Sequence, residues 1–156
     1  MIRLVRVDHR LLHGQVAFSW TRSLGTDCIL IASDKVANDE IHASALKLSK
    51  PSGIKMVIKG IEDSAKAINS GVTDKYKLMI ILGSIADAYM LCKKVSAIKS
   101  INLGGVKSEP GKVQISKAVF VNEEEKKMIR ELDSMGIEVE VRMLPDETSI
   151  KAISLI

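Results

Sequence analysis

Residues 2–16 have the sequence IRLVRVDHRLLHGQV, and this stretch decides the fold. Its first six residues, 2–7, show the apolar alternation that is typical of a β-strand. Residues 15–22 can form a helix, so His13 lies in the loop that joins the strand to the helix. In α/β proteins such loops lie above the carboxyl edge of the sheet, where reactive groups are exposed. The stretch therefore predicts an active-site loop directly after the first strand.

The rest of the chain repeats this alternation of strand and helix, with short connections. We predict strands over Ile2–Val7, Cys28–Ala32, Lys55–Lys59, Leu78–Leu82, Ser100–Leu103 and Ile137–Val141, with one or two short strands within Val113–Val121. We predict helices over Gln15–Arg22, Ala37–Leu48 and Glu62–Ile68. Ser84 is predicted to cap a helix that continues through Val95, and Asn122 to cap a helix over Glu123–Ser134. This pattern is typical of an α/β fold with an open, mostly parallel twisted sheet and helices on both faces.

Length and composition indicate one domain over residues 1–156, with an aliphatic core. The chain is 46% hydrophobic but only 3% aromatic. A module that stacks nucleic-acid bases needs exposed aromatic rings, so we expect no nucleic-acid partner. The net charge of +4 comes from scattered lysines and arginines. Such a surface suits an acidic partner or an anionic bilayer face, and it equally suits a solvated surface without a partner.

The two cysteines, Cys28 and Cys92, lie far apart within apolar stretches, which predicts buried free thiols rather than a disulfide. No cysteine and histidine spacing matches a zinc site. No signal peptide precedes the first strand, and no apolar run reaches the roughly 20 residues that span a bilayer. We therefore expect a cytoplasmic protein without a structural metal.

His13 and its neighbours suit the transfer of a phosphoryl group. A neutral imidazole nitrogen attacks phosphorus, and a histidine ordinarily titrates near pH ~6.5, so the neutral form is available. Arg10 supplies a permanent cation, and the backbone N–H groups of Gly14 and Gln15 supply fixed dipoles at a helix N-terminus. Asp8 can accept a hydrogen bond from the imidazole or orient Arg10.

Other interpretations of the same residues remain open from the residues alone. A single loop histidine is more often an ordinary polar residue, and His9 and His42 fit solvated positions. Asp8, His9 and His13 make a poor metal site, because they offer one carboxylate and two unevenly spaced imidazoles. The pair Gly104-Gly105 fits either close approach of a ligand or a tight turn.

Nucleotide-binding glycine motifs are absent from the sequence, so we expect no nucleotide or other cofactor, and a phosphoprotein as the phosphate donor. The alternative is a non-enzymatic α/β module that binds an anion or a sensory partner at the Gly14 and Gly105 loops. A regulator whose phosphorylated state is read by a signalling protein is a further hypothesis, compatible with transport.

Several motifs resemble one family along essentially the whole chain. The sequence RVDHRLLHGQV over 6–16 resembles the signature of the enzyme IIB components of the mannose/fructose/sorbose class of the bacterial sugar phosphotransferase system. The resemblance continues in SDKVAND over 33–39, NLGG over 102–105, GKVQIS over 111–116 and GIEVEVR over 136–142.

The resemblance implies a transferase that carries phosphate in sugar uptake. It implies that His13 is phosphorylated on Nδ1 by a phosphohistidine of a IIA component. The phosphate would then pass to a sugar imported through the IIC/IID membrane components, and Arg10 would match an arginine of the active-site loop. Two positions depart from the family: His9 stands where many relatives carry an acid, and Gly83-Ser84-Ile85-Ala86 replaces a Phe-x-Asn-Pro-like turn, which bears on partner docking.

Overall fold

The computed structural model describes residues 1–156 as an α/β fold with a mostly parallel sheet. The strands are β1 (Ile2–Asp8), β2 (Cys28–Ala32), β3 (Lys55–Lys59), β4 (Leu78–Leu82), β5 (Ser100–Gly105), β6 (Val113–Ser116), β7 (Val119–Val121), β8 (Glu138–Val141) and β9 (Ile150–Lys151). The helices are α1 (Gly14–Leu24), α2 (Asp34–Ala37), α3 (Glu40–Leu48), α4 (Ile61–Asn69), α5 (Ile85–Lys94) and α6 (Glu123–Ser134), followed by a 3-10 helix over Ala152–Leu155.

Seven strands form one sheet in the order β3-β2-β4-β1-β5-β8-β9. The first six are parallel, and β9 runs antiparallel to β8. Strand β1 lies near the middle, between β4 and β5, so the loop that follows it emerges at the centre of the carboxyl edge. Strands β6 and β7 form a separate antiparallel hairpin. The predicted open, mostly parallel sheet is confirmed.

Helices cover both faces of this sheet, as predicted, because its central strands are apolar on both sides. Helices α1, α2 and α3 pack on one face, where the core includes Ile29 and Ile31 of β2. Helices α4, α5 and α6 pack on the other face, where the larger core includes Cys28 and Leu30. None of the helices is both long and apolar enough to cross a bilayer.

The predicted single helix over Ala37–Leu48 is wrong, since the structure divides this segment between two helices. Ser33 accepts a hydrogen bond from the backbone of Val36 and caps α2, and Asp39 accepts one from His42 and caps α3. These side-chain caps compete with continuous helical hydrogen bonding at the junction. Within α3, Leu46 is the residue that is buried in the core on this face of the sheet.

The apolar residues whose helical spacing indicated a helix in this segment do not form its buried face. All four of these residues are exposed on the outer side: Ala37, Ile41, Ala45 and Leu48. Val36 and Leu46 are buried in their place. The helices predicted elsewhere agree closely with α1, α4, α5 and α6, and the predicted capping roles of Ser84 and Asn122 are confirmed.

The predicted final strand corresponds to β8, but it is not the last strand of the sheet. The two residues of β9 follow it and pair antiparallel along its outer edge, at Glu140 with Lys151 and at Val141 with Ile150. A pairing this short leaves no periodic pattern in the sequence.

Leu46 and Leu48 provide a direct test of the orientation of α3. Leu46 is 5% exposed and Leu48 is 89% exposed. We expect Leu46→Ala to lower the free energy of unfolding by about 2–5 kcal/mol, because it leaves a cavity. The matched variant Leu48→Ala should change it by less than about 0.5 kcal/mol. Urea unfolding measures both, and equal effects would contradict this orientation.

Candidate functional site

The His13 loop is held at the carboxyl edge by two buried leucines. Leu11 and Leu12 insert into the core beneath α1, and the backbone N–H of Leu11 donates to the carbonyl of Asp8 at 2.8 Å. Leu11 is the one non-glycine residue with positive φ, at 60°, a conformation that costs energy and persists where packing enforces it. Anchoring these two side chains turns His13 outward.

His13 is the N-cap residue of α1 and is partly open to solvent. Its side chain is 27% exposed and makes no capping hydrogen bond to the helix. Its Nε2 atom lies 3.2 Å from Oδ2 of Asp8. Because an ionised carboxylate only accepts hydrogen bonds, this contact places the ring proton on Nε2. Nδ1 then keeps the free lone pair.

Asp8 stands at the end of β1 and is completely buried. Its carboxylate accepts hydrogen bonds from Nη2 of Arg6 at 3.2 Å and from the backbone N–H and Nε of Arg10 at 3.0 and 3.2 Å. Burial acts to raise the pKa of Asp8, but the hydrogen bonds from Arg10, the charge of Arg6 and the contact with His13 together lower the pKa below its usual value. Asp8 is therefore an anion at neutral pH.

Arg10 and the first turn of α1 form the outer side of the site. The Arg10 side chain is 45% exposed, and its guanidinium is hydrogen-bonded to Asp8 alone. Gly14 begins α1 with a φ of 37° and, like Gln15, is exposed to solvent. The backbone N–H groups of a first helical turn have no carbonyl partner within the helix, and the first turn of α1 carries no acidic residue. The two arginines and one aspartate leave an excess of positive charge.

A row of polar side chains behind Asp8 was not predicted from the sequence. Arg6, Asn102 and Glu140 are register partners on β1, β5 and β8, and all three are buried. Nη1 of Arg6 donates to Oδ1 of Asn102 at 2.6 Å, and Nδ2 of Asn102 donates to Oε1 of Glu140 at 3.1 Å. The available signal was the presence of polar residues within strands whose other side chains are apolar.

The glycine pair Gly104-Gly105 ends β5 against side chains of the protein. A Cβ atom on Gly104 would lie 2.0 Å from Cζ of Arg6, and one on Gly105 would lie 3.2 Å from Oδ1 of Asp8. The close approach considered from the sequence is thus made by Arg6 and Asp8, and the tight turn is not observed because both glycines are part of the strand.

The remaining candidate residues form no side-chain hydrogen bond with Asp8, Arg10 or His13. His9 is exposed beside Gly105, and His42 is half-buried in α3. No three His, Cys, Asp or Glu side chains are grouped as metal ligands would be. Cys28 and Cys92 are buried free thiols, as predicted, and burial raises the pKa of Cys92 to about 12.

Comparison with known proteins assigns this geometry to a family. The family described as PTS system sorbose subfamily IIB component, where PTS is the phosphotransferase system, matches residues 2–156. The chain belongs to this family of IIB components. It is a phosphocarrier of the sugar phosphotransferase system and a transferase, as the sequence predicted.

Relatives match this IIB component along its whole length. A protein of Streptococcus pyogenes named a probable phosphotransferase enzyme IIB component is 34% identical over 162 residues, covering 100% of this chain and 99% of that one. The mannose-specific EIIAB component of Escherichia coli is also 34% identical, and the match covers 100% of this chain but 48% of that protein. IIB components work with IIA components, to which the E. coli relative is fused, and with membrane IIC and IID components.

A solved structure has the same fold. The IIB domain of the sorbose permease from Klebsiella pneumoniae superposes with a TM-score of 0.93 at 27% identity, covering 99% of this chain and 94% of that one. The fold and the family predicted from residues 6–16 and the later motifs are thus confirmed.

The buried anion Asp8 gives this IIB component a specific response to mutation and pH. We expect Asp8→Asn to lower the free energy of unfolding by about 3–5 kcal/mol at pH 7, because it leaves Arg6 buried without its counter-charge. Since folding lowers the pKa of Asp8, its stabilisation is present above pH ~4 and is lost as the pH falls through the lowered pKa. The difference in free energy of unfolding between the native protein and Asp8→Asn should therefore decrease at acid pH.

Urea unfolding of both proteins between pH 7 and pH 3 measures this response. Glu62→Gln is the matched control, because Glu62 forms an ion pair with Lys94 at 2.9 Å on the surface. That control should leave the free energy of unfolding almost unchanged, because an exposed ion pair contributes little to stability. A loss of similar size in the two variants would show that Asp8 is not an essential buried charge.

Proposed function

We propose that this IIB component carries its phosphoryl group on Nδ1 of His13. The observation that supports this is the contact between Nε2 of His13 and the buried carboxylate of Asp8. It reserves one ring nitrogen for a hydrogen bond and leaves the other as the nucleophile. The partial exposure of the ring gives a partner protein access to it.

The proposed donor is a phosphohistidine of a IIA component. The lone pair on Nδ1 of His13 attacks phosphorus, and the bond from phosphorus to the donor nitrogen breaks with its electron pair returning to the donor ring. Positive charge that develops on the His13 ring is stabilised by Asp8 through Nε2–H. No nucleotide takes part, and one P–N bond replaces another.

Arg10 and the N-terminus of α1 would bind the transferred group. The phosphoryl oxygens carry negative charge, which the guanidinium of Arg10 and the backbone N–H groups of Gly14 and Gln15 can neutralise. Helices α2 to α6 each have an acidic residue in their first turn, whereas α1 has none. The positive end of α1 is therefore available to an external anion.

The second transfer would deliver phosphate to a sugar held by the IIC and IID membrane components. A sugar hydroxyl attacks phosphorus and releases its proton to solvent water, while the P–N bond breaks and its electron pair returns to Nδ1 of His13. This reaction takes place in the cytoplasm in our proposal, and the two free cysteines agree with a reducing compartment.

The sheet includes strands from both ends of the chain, which supports treating residues 1–156 as one IIB domain.

His13→Ala tests the assigned carrier residue. Incubated with phosphorylated IIA, the native protein should gain one acid-labile phosphoryl group and the variant none, because no other residue has this environment. Mass-spectrometric mapping at alkaline pH, where phosphohistidine survives, locates the label, and NMR distinguishes Nδ1 from Nε2 attachment. His9→Ala and His42→Ala are the controls and should be labelled. A label on another residue, or tight binding of IIA without any label, would refute the proposal, and the latter favours the anion-binding alternative.

Arg10→Ala tests electrostatic stabilisation of the transferred group. We expect transfer from phosphorylated IIA to slow by ~10²-fold, as is typical when one preorganised electrostatic partner is removed. Arg22→Ala, which changes an exposed arginine in the last turn of α1, is the control and should react at the native rate. Rapid-quench measurements supply both rates. Equal rates for the native protein and Arg10→Ala would exclude this role for Arg10.

A further inference from the structure

Asp8 has two cationic partners that differ sharply in their freedom to move. The Arg6 side chain is almost completely buried, whereas the Arg10 side chain is nearly half exposed. Apart from its contacts with Asp8, the guanidinium of Arg10 makes no hydrogen bond. Arg10 can therefore turn towards a phosphoryl group on His13 without breaking any other contact of its side chain.

Arg6 is fixed in place on every side. Its Nη1 atom donates to Oδ1 of Asn102 at 2.6 Å and to the carbonyl of Arg142 at 3.3 Å, while Nη2 donates to Asp8. Its Cζ atom lies 5.5 Å from the centre of the Trp20 ring. Gly104 leaves the space that the guanidinium occupies, since a Cβ atom there would overlap it.

The partner of Arg6 is fixed as well. Nδ2 of Asn102 donates to Glu140 and to the carbonyl of Arg142, at 3.1 and 2.9 Å. Glu140 in turn accepts hydrogen bonds from Arg142 and Ser149. Arg6 therefore cannot follow Arg10 when the phosphoryl group arrives.

We propose that Arg6 is the positioning residue that keeps Asp8 ionised and bonded to Nε2 of His13 while Arg10 binds the phosphoryl group. This inference rests on the proposed function of His13. A fully buried carboxylate that lost its last cation would become protonated and would release its hold on the imidazole. Arg6 thus balances the charge of Asp8, and Arg10 balances the charge of the transferred phosphoryl group.

The Arg10→Gln variant imitates the state in which Arg10 has left Asp8. With ¹⁵N-labelled histidine, the nitrogen chemical shifts of His13 at pH 8 report which ring nitrogen carries the proton, and the chain has only three histidines. We expect His13 to remain the Nε2–H tautomer in Arg10→Gln, because Arg6 still holds Asp8. In the Arg6→Gln/Arg10→Gln variant, His13 should lose its preference for the Nε2–H tautomer. The Arg6→Lys/Arg10→Gln variant should restore this preference, because lysine returns a positive charge beside Asp8.

The Arg142→Gln/Arg10→Gln variant controls for a general loss of packing around Arg6, Asn102 and Glu140. Arg142 also lies against Trp20, at 5.0 Å, but its side chain pairs with Glu140 rather than with Asp8. This control should keep the Nε2–H tautomer. Unchanged shifts in the Arg6→Gln/Arg10→Gln protein, or equal loss in the control, would overturn the role of Arg6.

Transfer kinetics give a second, independent measurement with Arg6→Gln alone. We expect the rate from phosphorylated IIA to fall by ~10-fold or more with unchanged apparent affinity for IIA, because Arg10 then stays on Asp8. If Arg6→Gln reacts at the native rate, the inference about Arg6 is overturned. This measurement settles the role of Arg6 even if the double variant does not fold. If the native protein is not labelled on His13, the proposed function fails. The NMR comparison of His13 tautomers still tests whether Arg6 positions Asp8, because it needs no phosphoryl transfer.

Discussion

A carboxylate with no exposed surface, Asp8, is the constraint on which the rest of the site depends. A buried charge persists only with opposite charges and hydrogen bonds around it, and Asp8 has both from Arg6, Arg10 and the loop backbone. Burying Arg6 for this purpose requires acceptors for its remaining donors. Asn102 and the carbonyl of Arg142 meet that need, and Gly104 leaves the space.

The fold determines where Asp8 lies, at the carboxyl end of a central strand. Because β1 is flanked by β4 and β5, the end of β1 is surrounded by the ends of its neighbours, and α1 begins directly above it. Val5 and Val7 point into the larger core, so the polar row occupies one face of the sheet only. On β1, β5 and β8, the side chains that face the larger core are apolar, while the opposite face of these three strands positions the charges.

Much of this architecture could be predicted from the sequence because its signals are local. Apolar strands, helix caps and the His13 loop are encoded in runs of a few residues, and Asp8, Arg10 and His13 are close together in the chain. Arg6 and Asn102 were missed because their partnership depends on the register between β1 and β5, which is not visible in either strand alone. The division of Ala37–Leu48 into two helices was missed for a different reason: the apolar spacing continues through the cap at Asp39, although Ile41 and Leu48 are exposed.

Trp20 is the chain's single tryptophan, and the centre of its ring lies 5.5 Å from Cζ of Arg6 and 5.0 Å from Cζ of Arg142. Its indole N–H donates to the carbonyl of Met143 at 2.9 Å, which holds the ring in register with both cations. Indole fluorescence responds to nearby charge. The molecule therefore contains its own fluorescent reporter, and the wavelength and intensity of the Trp20 emission respond to movement of Arg6 or Arg142 without an added dye.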